Sequence, residues 1–164
     1  MSAKNTAVSG PEIVITRKFA APRALVFAAW TEPQHLAQWW GPKNFTNPIC
    51  EWDARAGGKI YDVMRGPDGT NYPMGGKFIE VVAPEKLIMT TGALDEKGVL
   101  MFEFHHTVTF VELKGATTVT IRSRIMRANE GTQHYTNGYR AGMTQSLEKL
   151  AELVEGLAAR EIVS

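Results

Sequence analysis

The feature that most constrains the fold is an almost unbroken succession of strand-like segments between residues 45 and 126. Alternation of apolar and polar residues, or enrichment in β-branched side chains, is typical of strands. Breaks such as "PDGT", "APE" and "KGA" separate the segments, whereas parallel strands need connections of a dozen or more residues. The sequence therefore predicts an antiparallel meander, and a first strand at residues 12–20 gives seven strands in all. The six later segments are "FTNPICEWD", "KIYDVMRG", "MGGKFIEVV", "KLIMTTGA", "VLMFEFHHTVTFVEL" and "TTVTIRSRIM".

Helices are predicted on both sides of this meander. Pro22 and Pro33 suit the first turn of a helix, because the fixed φ and missing N–H of proline cost nothing there. They open two short helices, "PRALVFAAW" and "PQHLAQWW", the second of which ends at Gly41-Pro42. From Asn137 onward, apolar residues at spacings of three and four predict one amphipathic helix of about twenty residues. Its apolar side consists of Tyr139, Met143, Leu147, Leu150, Val154 and Leu157.

These elements combine into an α+β fold. An antiparallel sheet with one apolar face needs a cover, and the C-terminal helix is the only predicted element long enough. We expect a curved antiparallel sheet of about seven strands gripping a long C-terminal α-helix, with two short helices after strand one. Residues 12–160 form the single domain, and residues 1–11 are expected to be a flexible leader rather than a secretory signal. Space between the curved sheet and the helix suits a small apolar ligand.

Composition argues against several classes of function. The formal net charge is +1 with no basic run, which is unlike a nucleic-acid-binding protein. Cys50 is the only cysteine, so no intrachain disulfide can form, and it is interpreted as a small buried apolar residue. No apolar run is long enough to span a membrane, and a cytoplasmic location is expected. The histidines have no metal-ligand spacing, so neither a metal nor another cofactor is predicted; they are His35, His105, His106 and His134.

Four strings occur in order over residues 12–157: "PRALVFAAWTEPQHLAQWWGP", "DARAGGKIYDVMRGPDG", "PEKLIMTTG" and "GMTQSLEKLAEL". Together they resemble the SRPBCC superfamily, whose members adopt the START-like helix-grip fold. Within it, the chain is most similar to the branch related to the activator of the heat-shock protein 90 ATPase. The resemblance implies a deep cavity between the sheet and the C-terminal helix, which relatives use for hydrophobic ligands. Two positions depart from it: relatives commonly carry tryptophan near Met143, and an aromatic or aliphatic residue is expected at Asp62.

The adjacent tryptophans Trp39 and Trp40 cannot share one face of a helix, because consecutive side chains diverge by about 100°. They must therefore serve two surfaces. We expect one to pack the second helix onto the rim of the sheet and the other, Trp40, to face the mouth of the cavity.

Strand phase places three polar side chains in an otherwise apolar interior. In "FEFHHTVTF" the alternation turns His106 inward and His105 outward. The same reasoning turns Ser123 and Asp62 inward on their own strands. They are interpreted either as a ligand-orienting or acid–base set, or as groups that pair with one another, with arginines or with buried water. A hydrolase triad is disfavoured, because Ser123 lies in mid-strand without a nucleophile elbow.

The sequence therefore favours the binding of a hydrophobic small molecule, with no catalytic residues assigned. Two alternatives stay open: an interaction protein that regulates a chaperone ATPase, and an enzyme acting on an aromatic or polycyclic substrate in the same cavity. No nucleic-acid partner is expected, and neither the ligand nor the oligomeric state follows from the sequence. The predicted cavity lining is Trp40, Ile60, Asp62, Met64, Phe104, His106, Val108, Ser123, Tyr139, Met143 and Leu147.

Overall fold

The computed structural model describes residues 6–7, 11–128 and 132–163, with side chains for residues 11–128 and 138–160. The fold is α+β, with eight strands and three helices among these residues. The strands are β1 (Thr6–Ala7), β2 (Ile13–Phe19), β3 (Thr46–Trp52), β4 (Lys59–Arg65), β5 (Asn71–Val82), β6 (Lys86–Ala93), β7 (Phe102–Leu113) and β8 (Ala116–Ala128). The helices are α1 (Arg23–Thr31), α2 (Pro33–Trp39) and α3 (Thr132–Val163).

All strands belong to one antiparallel sheet in the order β1-β8-β7-β6-β5-β4-β3, and β2 also pairs with β8. The seven predicted strands are present as β2–β8. Short connections explain the meander: Lys114 and Gly115 alone join β7 to β8, and both have positive φ. Such a two-residue turn matches the twist of the strands that it joins. Within the predicted leader, Thr6–Ala7 pair with the end of β8.

Helices α1 and α2 confirm the two short helices predicted after the first long strand. Pro22 precedes the first helical residue and Pro33 is the first residue of α2. Gly41, with φ of 96°, then turns the chain away from α2. The closing helix is longer than predicted, because it begins at Thr132 rather than Asn137. The predicted start of this helix was based only on the apolar stripe. Backbone hydrogen bonds can extend a helix beyond such a stripe, so the prediction missed the first turn.

The core lies between α3 and one face of the sheet, called the inner face here. The strand phases predicted for β7 and β8 are confirmed, since their inward residues are buried while His105 is only half-buried. The predicted helical stripe also faces the core at its central positions. Buried members of these sets are Phe104, His106, Val108, Phe110, Val119, Ile121, Ser123, Ile125, Met143, Leu147, Leu150 and Val154. Among the described helices, none combines the length and apolarity needed to cross a membrane.

Candidate functional site

A cavity of about 300 Å³ lies between the inner face of the sheet and the first half of α3. This volume is at the lower end of the range typical of small-molecule sites. The turn after α2, the strands β4–β7 and one side of α3 form its wall, and none of the described residues in it has a charged side chain. The lining residues are Trp40, Gly41, Pro42, Met64, Met74, Thr91, Phe102, Phe104, Gly138, Tyr139, Gly142, Met143 and Ser146.

The two adjacent tryptophans serve different surfaces. Trp39 is completely buried, and its Nε1–H donates to the backbone oxygen of Ala29 at 2.9 Å, which fixes α2 against α1. Trp40 instead lines the cavity, with its ring centroid 4.9 Å from that of Trp52. Trp40 thus borders the cavity, whereas Trp39 packs α2 against α1.

A chain of hydrogen bonds runs behind the cavity wall from Thr91 to Tyr139. Thr91 Oγ1 lies 2.7 Å from His106 Nε2, and His106 Nδ1 lies 2.7 Å from Ser123 Oγ. Ser123 Oγ in turn lies 2.7 Å from Tyr139 Oη, which is also 3.4 Å from His106 Nδ1. Burial lowers the pKa of His106 to about 3 and raises the pKa of Tyr139. The imidazole is therefore neutral near pH 7, with one N–H and one acceptor nitrogen.

Rings surround this chain on the cavity side. The Tyr139 ring stacks on Phe104 with centroids 4.6 Å apart and an interplanar angle of 26°. The same tyrosine ring lies 5.5 Å from the His106 ring, again nearly parallel. These contacts fix the direction of the Tyr139 hydroxyl, because the phenol ring is held between helix and sheet.

Asp62 is buried elsewhere on the inner face. The Nε1–H of Trp52 donates to its Oδ1 at 3.1 Å, and its buried Oδ2 has no partner among the described residues. Burial raises the pKa of Asp62 to about 7, although the hydrogen bond from Trp52 acts in the opposite direction. Burial, followed by the charge of Asp62, raises the pKa of the neighbouring Cys50 thiol to about 12, so this thiol is not a ready nucleophile.

An Asp62–His106 pair, one of the pairings considered from the sequence, is absent from the described contacts. Both nitrogens of His106 are occupied by hydroxyl groups, and Asp62 pairs with Trp52. The two side chains lie on strands β4 and β7, which two other strands separate in the sheet. An acid–base mechanism that uses both groups together therefore has no assembled pair in this structure.

The structure places five of the predicted lining residues in the wall: Trp40, Met64, Phe104, Tyr139 and Met143. The other six point inward but lie outside the wall. Three of these pack in the apolar core, namely Ile60, Val108 and Leu147, and three are the buried polar groups Asp62, His106 and Ser123.

Position along the strands explains this division. The register pairs the lining residues Thr91 and Phe104 directly. Met74 pairs with Asp62 and Ala93, which are two residues from the lining residues Met64 and Thr91, so the lining residues of neighbouring strands lie at similar levels across the sheet. At the other end of the strands, α1, α2 and the second half of α3 fill the space with side chains. Alternation identifies which residues point inward, but it gives no information about which inward residues lie at the cavity end of the strands.

Eight lining residues were not predicted: Gly41, Pro42, Met74, Thr91, Phe102, Gly138, Gly142 and Ser146. A signal existed for two of them. Phe102 shares the alternating face of Phe104, and Ser146 follows Met143 by three positions on the helix. Thr91 gave no signal, because its role depends on the pairing of β6 with β7. In the part of the chain with described side chains, no three His, Cys, Asp or Glu residues converge as metal ligands do.

Comparison with known proteins gives a consistent result. A family model described as "Activator of Hsp90 ATPase homolog 1-like protein" matches residues 20–155. A solution structure from Arthrobacter aurescens is similar at 30% identity and a TM-score of 0.78, covering 88% of this chain and 86% of that one. A crystal structure from Chromobacterium violaceum has 29% identity and a TM-score of 0.75, with coverages of 88% and 96%. The AHSA1 protein from Silicibacter pomeroyi has 27% identity and a TM-score of 0.73, with coverages of 86% and 95%. A search of curated proteins found no match.

Proposed function

The chain belongs to the Activator of Hsp90 ATPase homolog 1-like family, and from this premise we propose that it binds an apolar small molecule between its sheet and α3. The observation that carries the proposal is that the described residues lining the 300 Å³ cavity are uncharged and largely apolar. Interiors of proteins are normally packed to the density of organic crystals. An apolar ligand in this cavity would make contacts of that kind with the wall and would remove apolar surface from water.

Met143 offers a direct test, because it lines the cavity from α3 and is only 6% exposed. We expect Met143→Trp to occupy the space that a ligand would use. Dispersion contacts of the larger ring would offset its extra volume, so the free energy of unfolding should change by less than about 1 kcal/mol. Binding of an uncharged apolar probe, N-phenylnaphthylamine, would be measured by isothermal titration calorimetry on wild type and variant.

Met126→Trp is the matched control, since Met126 is a methionine on β8 that lies outside the cavity and is 38% exposed. We expect the wild type and this control to bind the probe with similar affinity and Met143→Trp to lose at least tenfold. A wild type that binds no uncharged probe, or a Met143→Trp protein that binds like the wild type, would contradict the proposal. If the proposal holds, native mass spectrometry of protein purified without added ligand would identify any small molecule that the cavity retains.

The family match favours a second candidate function, regulation of a chaperone ATPase. Its test is independent of the cavity. The ATPase rate of an Hsp90 chaperone would be measured with and without equimolar protein, using both wild type and Met143→Trp. Stimulation that survives the filling of the cavity would support chaperone regulation as a function of the outer surface.

A further inference from the structure

The hydrogen-bonded chain behind the cavity wall begins and ends at residues that line the cavity. Thr91 and Tyr139 are both part of the wall, and the interior members His106 and Ser123 are each about 1% exposed. The three links between neighbours are each 2.7 Å long. The residues at both ends of this continuous polar path therefore line the cavity, whereas its two interior members are buried.

The path has one more hydrogen than its hydrogen bonds use. Each of the three hydroxyl groups carries one hydrogen, and a neutral imidazole carries one more. Three links use three of these four hydrogens, so one is left over. A spare hydrogen on buried Ser123 would have no partner along this path, which is costly. The favourable arrangements place the spare hydrogen at one end of the path, either on Tyr139 Oη or on Thr91 Oγ1.

The direction of the path decides which end donates. If His106 carries its hydrogen on Nδ1, Thr91 donates to Nε2, the imidazole donates to Ser123, and Ser123 donates to Tyr139. The spare hydrogen is then on the phenol. If the hydrogen is on Nε2, every link reverses and the spare hydrogen is on Thr91. In both cases one of the two lining residues, Thr91 or Tyr139, has a hydroxyl hydrogen without a partner on the path, and the other has free hydroxyl lone pairs.

We propose that the ligand is an uncharged apolar molecule with a hydrogen-bonding oxygen, a ketone or an alcohol, and that this oxygen binds between Thr91 and Tyr139. The inference rests on the proposed function and specifies its ligand class. A molecule without such an oxygen would displace the water that can otherwise accept the spare hydrogen, and would leave that hydrogen unpaired against an apolar surface.

Charged ligands fit poorly for a separate reason. Among the wall residues that the structure describes, none has a charged side chain that could compensate a carboxylate removed from water. Lys149, whose ammonium donates to the backbone oxygen of Pro42 at 3.1 Å, is not one of the lining residues. A fatty acid would therefore lose its hydration without gaining a counterion, whereas a ketone or alcohol would gain the one donor that the site provides.

Three matched ligands test this inference on the full chain by isothermal titration calorimetry near neutral pH. Acetylnaphthalene carries a neutral carbonyl oxygen, ethylnaphthalene has a similar shape without the oxygen, and naphthoate carries a charge. We expect acetylnaphthalene to bind about tenfold more tightly than ethylnaphthalene, which corresponds to about 1.4 kcal/mol. Naphthoate should bind more weakly than either.

The double variant Thr91→Val with Tyr139→Phe removes both ends of the path and should reduce the preference for acetylnaphthalene to less than about twofold. The control is Tyr72→Phe with Thr107→Val, because Tyr72 is 43% exposed and neither residue lines the cavity. This control should keep the tenfold preference. The wild-type comparison stands alone if the double variant does not fold.

The outcomes separate this inference from the proposed function. Equal affinities of wild type for acetylnaphthalene and ethylnaphthalene, tighter binding of naphthoate, or an undiminished preference in the double variant would overturn the assignment of the oxygen and leave apolar binding intact. Failure of all three ligands to bind would overturn the proposed function, and this inference with it.

Discussion

The buried carboxyl group of Asp62 gives the most quantitative prediction. The indole of Trp52 hydrogen-bonds one of its oxygens, and the other has no partner among the described residues. Asp62→Asn keeps an acceptor for the indole N–H and removes the ability to ionise. We expect this variant to gain stability relative to the wild type as the pH rises.

The raised pKa of Asp62 determines the sign and the size of the expected change in unfolding free energy with pH. Burial raises the pKa of Asp62 from the ordinary 3.8 to about 7. Between these pH values the unfolded chain has lost the proton and the folded protein has kept it. The unfolding free energy contributed by this group therefore falls as the pH rises from about 4 to about 7. Each tenfold change in proton affinity is worth about 1.4 kcal/mol, so the total loss is about 4 kcal/mol.

His106 contributes a slope of the opposite sign. Burial lowers its pKa from 6.5 to about 3, so over that range the unfolded imidazole binds a proton that the folded one does not. Its contribution to stability therefore rises with pH. In the wild type the slopes of Asp62 and His106 nearly cancel between about pH 4 and 6.5. Asp62→Asn leaves His106 unopposed, and stability should then rise by up to about 1.4 kcal/mol per pH unit.

The assay is urea unfolding followed by tryptophan fluorescence, at several pH values between about 4.5 and 8. Glu51→Gln is the control, because it removes an exposed carboxylate next to Trp52 on β3. The amide hydrogens introduced by Asp62→Asn cost about 1–3 kcal/mol if they have no partner. This cost does not depend on pH, so it lowers the unfolding free energy of the variant equally at every pH value. Stability curves of wild type and Asp62→Asn that stay parallel across this range would refute the reasoning.

Two further comparisons test the packing of the sheet. His106→Ala breaks two buried hydrogen bonds and should cost about 3 kcal/mol, whereas His105→Ala on the half-buried outer face should cost under about 0.5 kcal/mol. Equal costs in urea would contradict the strand phase. Gly76→Ala would place its Cβ 1.8 Å from the backbone oxygen of Thr90 and should prevent folding or cost more than about 3 kcal/mol. Gly75→Ala meets only a leucine side chain at 3.2 Å and should cost about 1 kcal/mol or less, so similar melting temperatures would exclude the backbone clash.

Much of the fold could be predicted from the sequence, because strand and helix periods are local properties of the chain. Alternation predicted that His106 lies inward and His105 outward, and spacings of three and four predicted the stripe that begins at Tyr139. Proline and glycine predicted where the short helices begin and end. The start of α3 was not predicted, because it lies outside the apolar stripe.

The candidate site depended on distances that no local pattern contains. The sequence showed that Trp39 and Trp40 must face different surfaces, but packing against Trp52 decided that Trp40 lines the cavity. It showed that Asp62 is inward, yet the partner of this carboxyl group depends on how β3 and β4 are aligned.

What the sequence alone determined is therefore the direction of each side chain relative to its own strand or helix, because a period of two or 3.6 residues follows from backbone geometry. What only the tertiary structure decided is which inward side chains meet. The path from Thr91 through His106 and Ser123 to Tyr139 joins three strands and a helix. Its members meet because the register pairs His106 with Ser123 and places Thr91 opposite Phe104, two residues from His106, while Tyr139 on α3 reaches Ser123. Register and helix placement minimise the free energy of the whole core, so they cannot be read from any single segment.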